Sequence, residues 1–190
     1  LQKAIKVEPR NLTAIHNLGT ACKELGKPKE AINYYNKVLE LDPKHINANF
    51  NLGLVFYKLK ELKKAKSYFQ KTVEMQSNYA LAFYSLANVH TDLKEFEDAV
   101  SCYQKAIDIN PNLVGAYNNL GLVFRGLDDF ENAITYYKKT IKIQPNHTGA
   151  HHNLAQAYKE RGEFEKAIQS HQMVIKHEPE NLTNYYFLSE

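Results

Sequence analysis

The sequence has few cysteines and no long hydrophobic run, the features that mark disulfide-rich and membrane-spanning proteins. Its 190 residues contain no tryptophan and two cysteines, Cys22 and Cys102, which lie far apart in the chain. A free buried thiol at Cys22 favours a reducing compartment, so we expect a cytoplasmic protein. No run approaches the roughly 18 apolar residues that a membrane-spanning helix needs, and we therefore expect no membrane insertion.

The chain also has little net charge. Its 24 lysine and arginine residues nearly balance 21 aspartate and glutamate residues, for a formal charge of +3. The two signs are interleaved, as in the segment Lys94-Glu95-Phe96-Glu97-Asp98. This pattern is typical of a solvated helix face, so we expect no nucleic-acid partner.

A motif of small residues recurs through the chain with a step of 34 residues. It reads Asn17-Leu18-Gly19, Asn51-Leu52-Gly53, Asn119-Leu120-Gly121 and Asn153-Leu154-Ala155, and Leu86 fills the remaining position. Prolines follow the same register at Pro9, Pro43, Pro111, Pro145 and Pro179, with Ser77 where one more is expected. A period of this length predicts a solenoid of repeated supersecondary units.

Each unit is predicted to contain two helices. In the first unit, apolar residues at helical spacing predict a helix from Leu12 to about Leu25 and another from about Lys29 to Leu41. Pro43 is expected to end the second helix, because proline has no amide donor and restricts the residue before it. Gly26 and Gly162 suit a turn with positive φ, but other repeats have Lys60, Lys94 and Asp128 there. We therefore expect that positive φ is not required at this turn.

Columns of small and aromatic residues predict how the helices pack. Small first-helix residues are expected to face alanines of the second helix and so to bring the two helices close together. These small residues are Gly19, Gly53, Ala87, Gly121 and Ala155, and the alanines are Ala31, Ala65, Ala99, Ala133 and Ala167. Two aromatic columns are expected to fill the core: Tyr35, Phe69, Tyr103 and Tyr137, and Phe56, Phe124 and Tyr158.

Together these columns resemble the tetratricopeptide repeat (TPR). The resemblance covers the whole chain, 1–190, as one array: the end of a preceding repeat at 1–11, full repeats at 12–45, 46–79, 80–113, 114–147 and 148–181, and the start of another at 182–190. It implies an all-α fold, an α-solenoid of helix-turn-helix units that forms a right-handed superhelix. The first helices would line a concave groove, and the second helices would lie outside.

Candidate sites for catalysis or metal binding are weak. Gly19 and Gly26-Lys27 have the wrong spacing for a phosphate-binding loop, and Pro28 stands where a serine or threonine should bind magnesium. His147, His151 and His152 are the best metal candidates, but no cysteine or carboxylate completes the set, and His151 is expected to point into the packing. We therefore predict that the chain is not an enzyme and has no cofactor or metal.

The predicted groove offers a better candidate site. One column of first-helix residues reads Asn17, Asn51, Ser85, Asn119 and Asn153. Amide side chains both donate and accept hydrogen bonds, so a row of them can pair with an extended peptide backbone. The column is similar to the asparagine ladder in the repeats of O-linked N-acetylglucosamine transferases, except at Ser85. Asparagine before Leu-Gly is also common in this repeat family generally. The alternative is therefore that these asparagines are only tolerated at a position that faces solvent.

A second column, rich in rings, is predicted beside the ladder. It contains His16, Phe50, Tyr84, Asn118 and His152, with Tyr57, Arg125 and Lys159 nearby. Rings offer contact area at modest entropic cost, which suits a peptide partner. We expect an interaction module that binds an extended protein segment in its groove. The alternatives are a substrate-recruiting arm of a larger glycosyltransferase or similar enzyme, or a self-assembling scaffold.

The two ends of the sequence carry a further expectation. The chain opens inside one helical pattern and stops inside another, which favours a segment of a longer array. Tyr185 and Leu188 occupy first-helix core columns without a following second helix. Exposed apolar faces tend to be covered, so we expect end-to-end self-association through these residues.

Overall fold

The computed structural model describes residues 10–177, and within them all regular structure is α-helical. It contains ten helices: α1 Leu12–Glu24, α2 Pro28–Leu41, α3 Ile46–Lys58, α4 Leu62–Met75, α5 Ala80–Asp92, α6 Phe96–Ile109, α7 Val114–Gly126, α8 Phe130–Ile143, α9 Thr148–Glu160 and α10 Phe164–His177. Every first helix of a repeat has 13 residues and every second helix has 14. The predicted all-α solenoid of helical repeats is confirmed, and the bounds predicted for α1 and α2 agree to within one residue.

The helices form two compact units, which divide between Glu95 and Phe96 in the middle of the third repeat. The first unit contains α1 to α5 and the second contains α6 to α10. In each unit every helix packs against the next one, and successive first helices also touch, as α1 with α3 and α7 with α9. Among the described helices of a unit, the backbones of successive second helices make no such contact. The first helices are therefore more closely spaced than the second helices.

A side chain caps the N-terminus of several of the helices. The Asn11 Oδ1 accepts a hydrogen bond from the Ala14 amide at 3.0 Å, which satisfies one free N–H of the first turn of α1. One repeat later, the Nδ1 atom of His45 accepts from the Ala48 amide at 3.2 Å. His147 does the same for Ala150 at 3.0 Å. A histidine caps in this way only while Nδ1 is unprotonated.

The core consists of the columns that the sequence predicts. The alanine column is buried, as is the aromatic column at Tyr35, Phe69, Tyr103 and Tyr137. Cys22, Phe56, His90 and Tyr158 are also buried, in the second ring column, which in two repeats has lost its aromatic residue. The core is thus assembled from the same positions in every described repeat.

The glycine column, however, does not have the partner that we expected. A Cβ atom built on Gly53 would lie 2.5 Å from Cε1 of Phe69, and one on Gly121 would lie 2.6 Å from Cε1 of Tyr137. Gly19 has the same relation to Tyr35, at 2.7 Å. The nearest obstacle is therefore the aromatic ring of the second helix and not the alanine column. The glycines make room for the ring, because the ring edge lies where a Cβ atom would otherwise stand.

The turn inside each repeat corrects a second expectation. Lys60, Lys94 and Asp128 have φ of 60°, 61° and 59°, close to the 70° and 75° of Gly26 and Gly162. All five turns thus adopt the left-handed conformation, and our expectation that positive φ is not required was wrong. At the same point in each repeat, the backbone bonds back to the preceding first helix, for example from the Lys94 amide to the Thr91 oxygen at 3.0 Å. The conformation is thus the same whichever residue stands there.

Strain at these turns gives a testable prediction. Lys94→Gly is expected to raise the free energy of unfolding by up to about 1 kcal/mol, because an L-residue in the left-handed region costs roughly 1–2 kcal/mol and glycine does not. Gly26→Ala is the reverse change and should lower it by about 1 kcal/mol, although a Cβ at Gly26 meets no atom within 4 Å. Urea unfolding followed by circular dichroism measures both. Two variants that shift the midpoint in the same direction would contradict the prediction.

Two findings concern the predicted partners. No helix of residues 10–177 is long and apolar enough to cross a membrane. Tyr185 and Leu188, which carry the expectation of end-to-end association, lie outside the described residues.

Candidate functional site

In the first unit, the asparagine ladder is held by hydrogen bonds between repeats. Nδ2 of Asn51, on α3, lies 3.1 Å from Nε2 of His16, on α1. Nζ of Lys23, also on α1, donates to Oδ1 of Asn51 at 2.7 Å. Both ends of this amide are thus fixed by the preceding repeat, which sets the direction in which it faces.

The His16 ring is positioned by two further rings. Its centroid lies 5.5 Å from that of Tyr35 and 5.3 Å from that of His45, against which it stacks. Burial lowers the pKa of His16, and the neighbouring His45 lowers it further. The imidazole is therefore neutral at pH 7, and its Nε2 can accept the hydrogen bond from Asn51.

The other predicted groove residues of this unit are half-buried, with the exception of Asn17. Phe50 packs against Phe69 of α4 and against Tyr79, the residue just before α5, with centroids 5.7 and 4.9 Å away. Burial and the nearby Asp92 raise the pKa of Tyr57 to about 12. Tyr84 and Ser85 are also half-buried on α5, whereas Asn17 is exposed on α1.

In the second unit, three asparagines form a chain of hydrogen bonds. Nδ2 of Asn153, on α9, donates to Oδ1 of Asn118, on α7, at 3.1 Å. Nδ2 of Asn118 in turn donates to Oδ1 of Asn119 at 3.3 Å. The pair Asn118–Asn153 has the same separation of 35 residues as the pair His16–Asn51. Each unit therefore joins the second column of one repeat to the ladder of the next.

In the second unit, two histidine rings and two basic side chains belong to helices α7, α9 and α10. The His152 ring meets the His171 ring edge to face, with centroids 5.5 Å apart. Burial lowers the pKa of His152, and the positive charge of Arg125 lowers it further. The Nε atom of Arg125 lies 4.0 Å from a carboxylate oxygen of Glu160, and Lys159 is exposed. His152 is thus a neutral ring beside fixed positive charge.

Sequence reasoning missed two residues of this site, Lys23 and His45. Lys23 occupies the same column as Tyr57, Arg125 and Lys159, so the 34-residue register alone would have found it. His45 belongs to the turn before α3, and its contact with the His16 ring depends on how successive repeats stack. No sequence signal indicates that contact.

The three histidines considered as metal ligands have separate roles. His147 caps α9, and the Nε2 atom of His151 lies 2.9 Å from the Pro145 carbonyl oxygen. His152 faces His171 instead. The expected burial of His151 is confirmed, since its side chain lies in the packing.

The fold and these columns define a helical-repeat protein of the class that binds protein or peptide partners. Family models described as TPR repeat and tetratricopeptide repeat match residues 19–60, 46–79, 87–128 and 112–177. The matched segments together span most of the chain, so the chain belongs to the tetratricopeptide repeat family. Each matching model describes the repeat itself.

Solved structures with the same fold include three with high similarity. A MamA protein superposes with a TM-score of 0.83 at 27% identity, over 90% of this chain and 94% of its own. YrrB, described as a TPR protein with an unusual peptide-binding site, has a TM-score of 0.83 at 22% identity, over 100% and 97%. Pseudomonas aeruginosa pilF has a TM-score of 0.78 at 22% identity, over 90% and 78%. A comparison with curated proteins found no match.

Proposed function

We propose that the chain binds an extended peptide segment along its first helices, through the asparagine ladder. The observation that carries this proposal is the bond between repeats that holds Asn51 and Asn153 in place. An amide that is already oriented loses little rotamer entropy when a ligand binds, and such preorganisation favours affinity. The proposed ligand is protein backbone, since an amide can recognise it without reading its sequence.

Asn51 keeps hydrogen-bonding capacity for such a ligand. An asparagine side chain offers two N–H donors and an oxygen with two lone pairs. In Asn51, Lys23 occupies one lone pair and His16 one N–H, which leaves one of each. One donor and one acceptor are what a peptide group of an extended chain requires. YrrB, which has the same fold, is described as having a peptide-binding site, although at 22% identity the likeness extends to the fold alone.

The test is the triple variant Asn51→Ala, Asn119→Ala and Asn153→Ala. A peptide array selects ligands for the parent protein, and titration calorimetry then compares the two proteins. Each lost amide bond is worth about 0.5–1.5 kcal/mol, so affinity is expected to fall by about ten-fold to well over a hundred-fold if the three act independently. The loss should be similar for peptides of different sequence, because the contacts are to main chain.

The double variant Asn33→Ala and Asn36→Ala is the control, because it removes exposed amides from the second helix α2. It should bind like the parent. Circular dichroism must show that the triple variant keeps its helical content, since Asn51 and Asn153 also join repeats. Equal affinity of the parent and the triple variant would refute the proposal. Phe50→Ala is unsuited to test specificity, because the Phe50 ring packs against two other rings of the fold, Phe69 and Tyr79.

A further inference from the structure

A pocket of about 540 Å³ opens between the second helices of the second unit. Gln104 and Ile107 of α6 line one wall, Tyr136, Lys139 and Lys142 of α8 line the other, and Tyr117 of α7 lies between them. Its volume is in the range of sites that hold small ligands or a few side chains. The ladder residues, by contrast, all belong to first helices. The pocket is thus separate from the surface proposed above.

The spacing of the helices explains why there is room here. Both α6 and α8 pack against α7, but the backbones of α6 and α8 stay apart in the described structure. The Tyr117 ring and the buried side chain of Ile107 form the part of the lining that we call the floor. The floor of the pocket is therefore apolar and aromatic.

The walls are held in place by contacts of their own. The Tyr136 ring stacks on Phe124, with centroids 5.4 Å apart and planes 9° from parallel. The Tyr136 hydroxyl donates to Oε1 of Gln104 at 3.2 Å, which connects α8 to α6 across the gap. Nε2 of Gln104 donates to Asp108 at 2.8 Å. The pocket is consequently preformed and does not depend on a ligand for its shape.

The rim carries positive charge without a carboxylate partner. Lys139 and Lys142 are exposed, and within residues 10–177 neither makes an ion pair. Nζ of Lys139 lies 4.7 Å from the centre of the Tyr136 ring. The acidic group nearby, Asp108, accepts the hydrogen bond from Gln104. With two lysines and one aspartate, the local charge beside the aromatic wall is therefore positive.

The charge at Lys142 is also peculiar to this end of the array. The equivalent residues of the first three repeats are acidic: Glu40, Glu74 and Asp108. The fifth repeat has Lys176 there. The residue equivalent to Tyr117 is the buried Asn49 in the second repeat. An aromatic floor and a basic rim therefore occur together at this pocket and not at the corresponding position of the first unit.

We propose that this pocket is a second binding site, which takes an acidic segment of a partner protein that inserts an aromatic side chain. The inserted ring would pack on Ile107, Tyr117 and Tyr136, and flanking carboxylates would pair with Lys139 and Lys142. Apolar burial supplies the affinity of such a contact, and the lysines select acidic over basic segments.

The experiment measures fluorescence anisotropy of a short fluorescein-labelled peptide in which one phenylalanine is flanked by glutamates on both sides. The variant Lys139→Glu with Lys142→Glu should weaken binding by on the order of ten-fold or more, because attraction becomes repulsion. Its control is Lys37→Glu with Lys71→Glu, which changes the net charge equally and lies in the same column as Lys139. The control should bind within about two-fold of the parent.

Two matched peptides and one further variant complete the test. Alanine in place of phenylalanine, or lysines in place of the glutamates, should each abolish most of the binding. The triple variant of Asn51, Asn119 and Asn153 should bind the labelled peptide as the parent does, so failure of one proposal is distinguishable from failure of the other. No binding by the parent, an equal loss in both lysine variants, or a loss confined to the asparagine variant would each overturn the second site.

Discussion

Replacing Gly121 with alanine is expected to lower the free energy of unfolding by about 1–3 kcal/mol. The new Cβ would lie 2.6 Å from Cε1 and 2.8 Å from Cδ1 of Tyr137, distances at which something must move. The Tyr137 ring cannot yield easily, because it is fully buried between α7 and α8. The second unit should therefore loosen first, since coupling in a repeat array is between neighbours.

Gly126→Ala is the matched control in the same helix. A Cβ at Gly126 would have its nearest neighbour at 4.0 Å, in the Phe96 ring, which is ordinary contact. Alanine is a better helix former than glycine by up to about 1 kcal/mol, so this variant should be slightly stabilised. The two variants are thus expected to differ by about 1–4 kcal/mol in urea unfolding. If the two variants unfold at the same urea concentration, the close approach of the Tyr137 ring to the backbone of α7 is wrong.

Replacing Tyr137 with phenylalanine is expected to stabilise the protein, by about 1–3 kcal/mol. The Tyr137 hydroxyl is buried and has no hydrogen-bond partner among the described residues. Burial also raises the pKa of this hydroxyl, as expected for a polar group that has lost its water. Phe69 already occupies the same position in the second repeat, so a ring without the hydroxyl fits against the glycine.

Tyr35→Phe provides the contrast. The Tyr35 hydroxyl lies 3.1 Å from Oγ1 of Thr20, and removing it breaks that hydrogen bond. This variant should be destabilised by about 0.5–1.5 kcal/mol. Urea midpoints of the two variants should move in opposite directions from the parent. A destabilised Tyr137→Phe would show that its hydroxyl is hydrogen-bonded in solution.

The candidate site was predictable in its columns but not in its bonds. The 34-residue register places Asn51 and Asn153 in one column and His16 and Asn118 in the neighbouring one. It does not show that His16 bonds to Asn51 or Asn118 to Asn153, because a separation of 35 residues becomes a contact only when two repeats stack. For the same reason the sequence indicates candidate residues for peptide binding, while the orientation of their side chains comes from the packing.

The sequence by itself determined the repeat, the helices and the core, because each depends on local periodicity and on residue size. Apolar spacing defines α1 and α2, and the recurring alanine and aromatic columns define what is buried. Tertiary structure decided three other features. Packing of α3 against α4 goes with positive φ at Lys60, which its side chain disfavours, and packing of α7 against α8 lays the Tyr137 ring on Gly121. The wider spacing of second helices opens the pocket at Tyr136, since a gap between elements has no signature in either element alone.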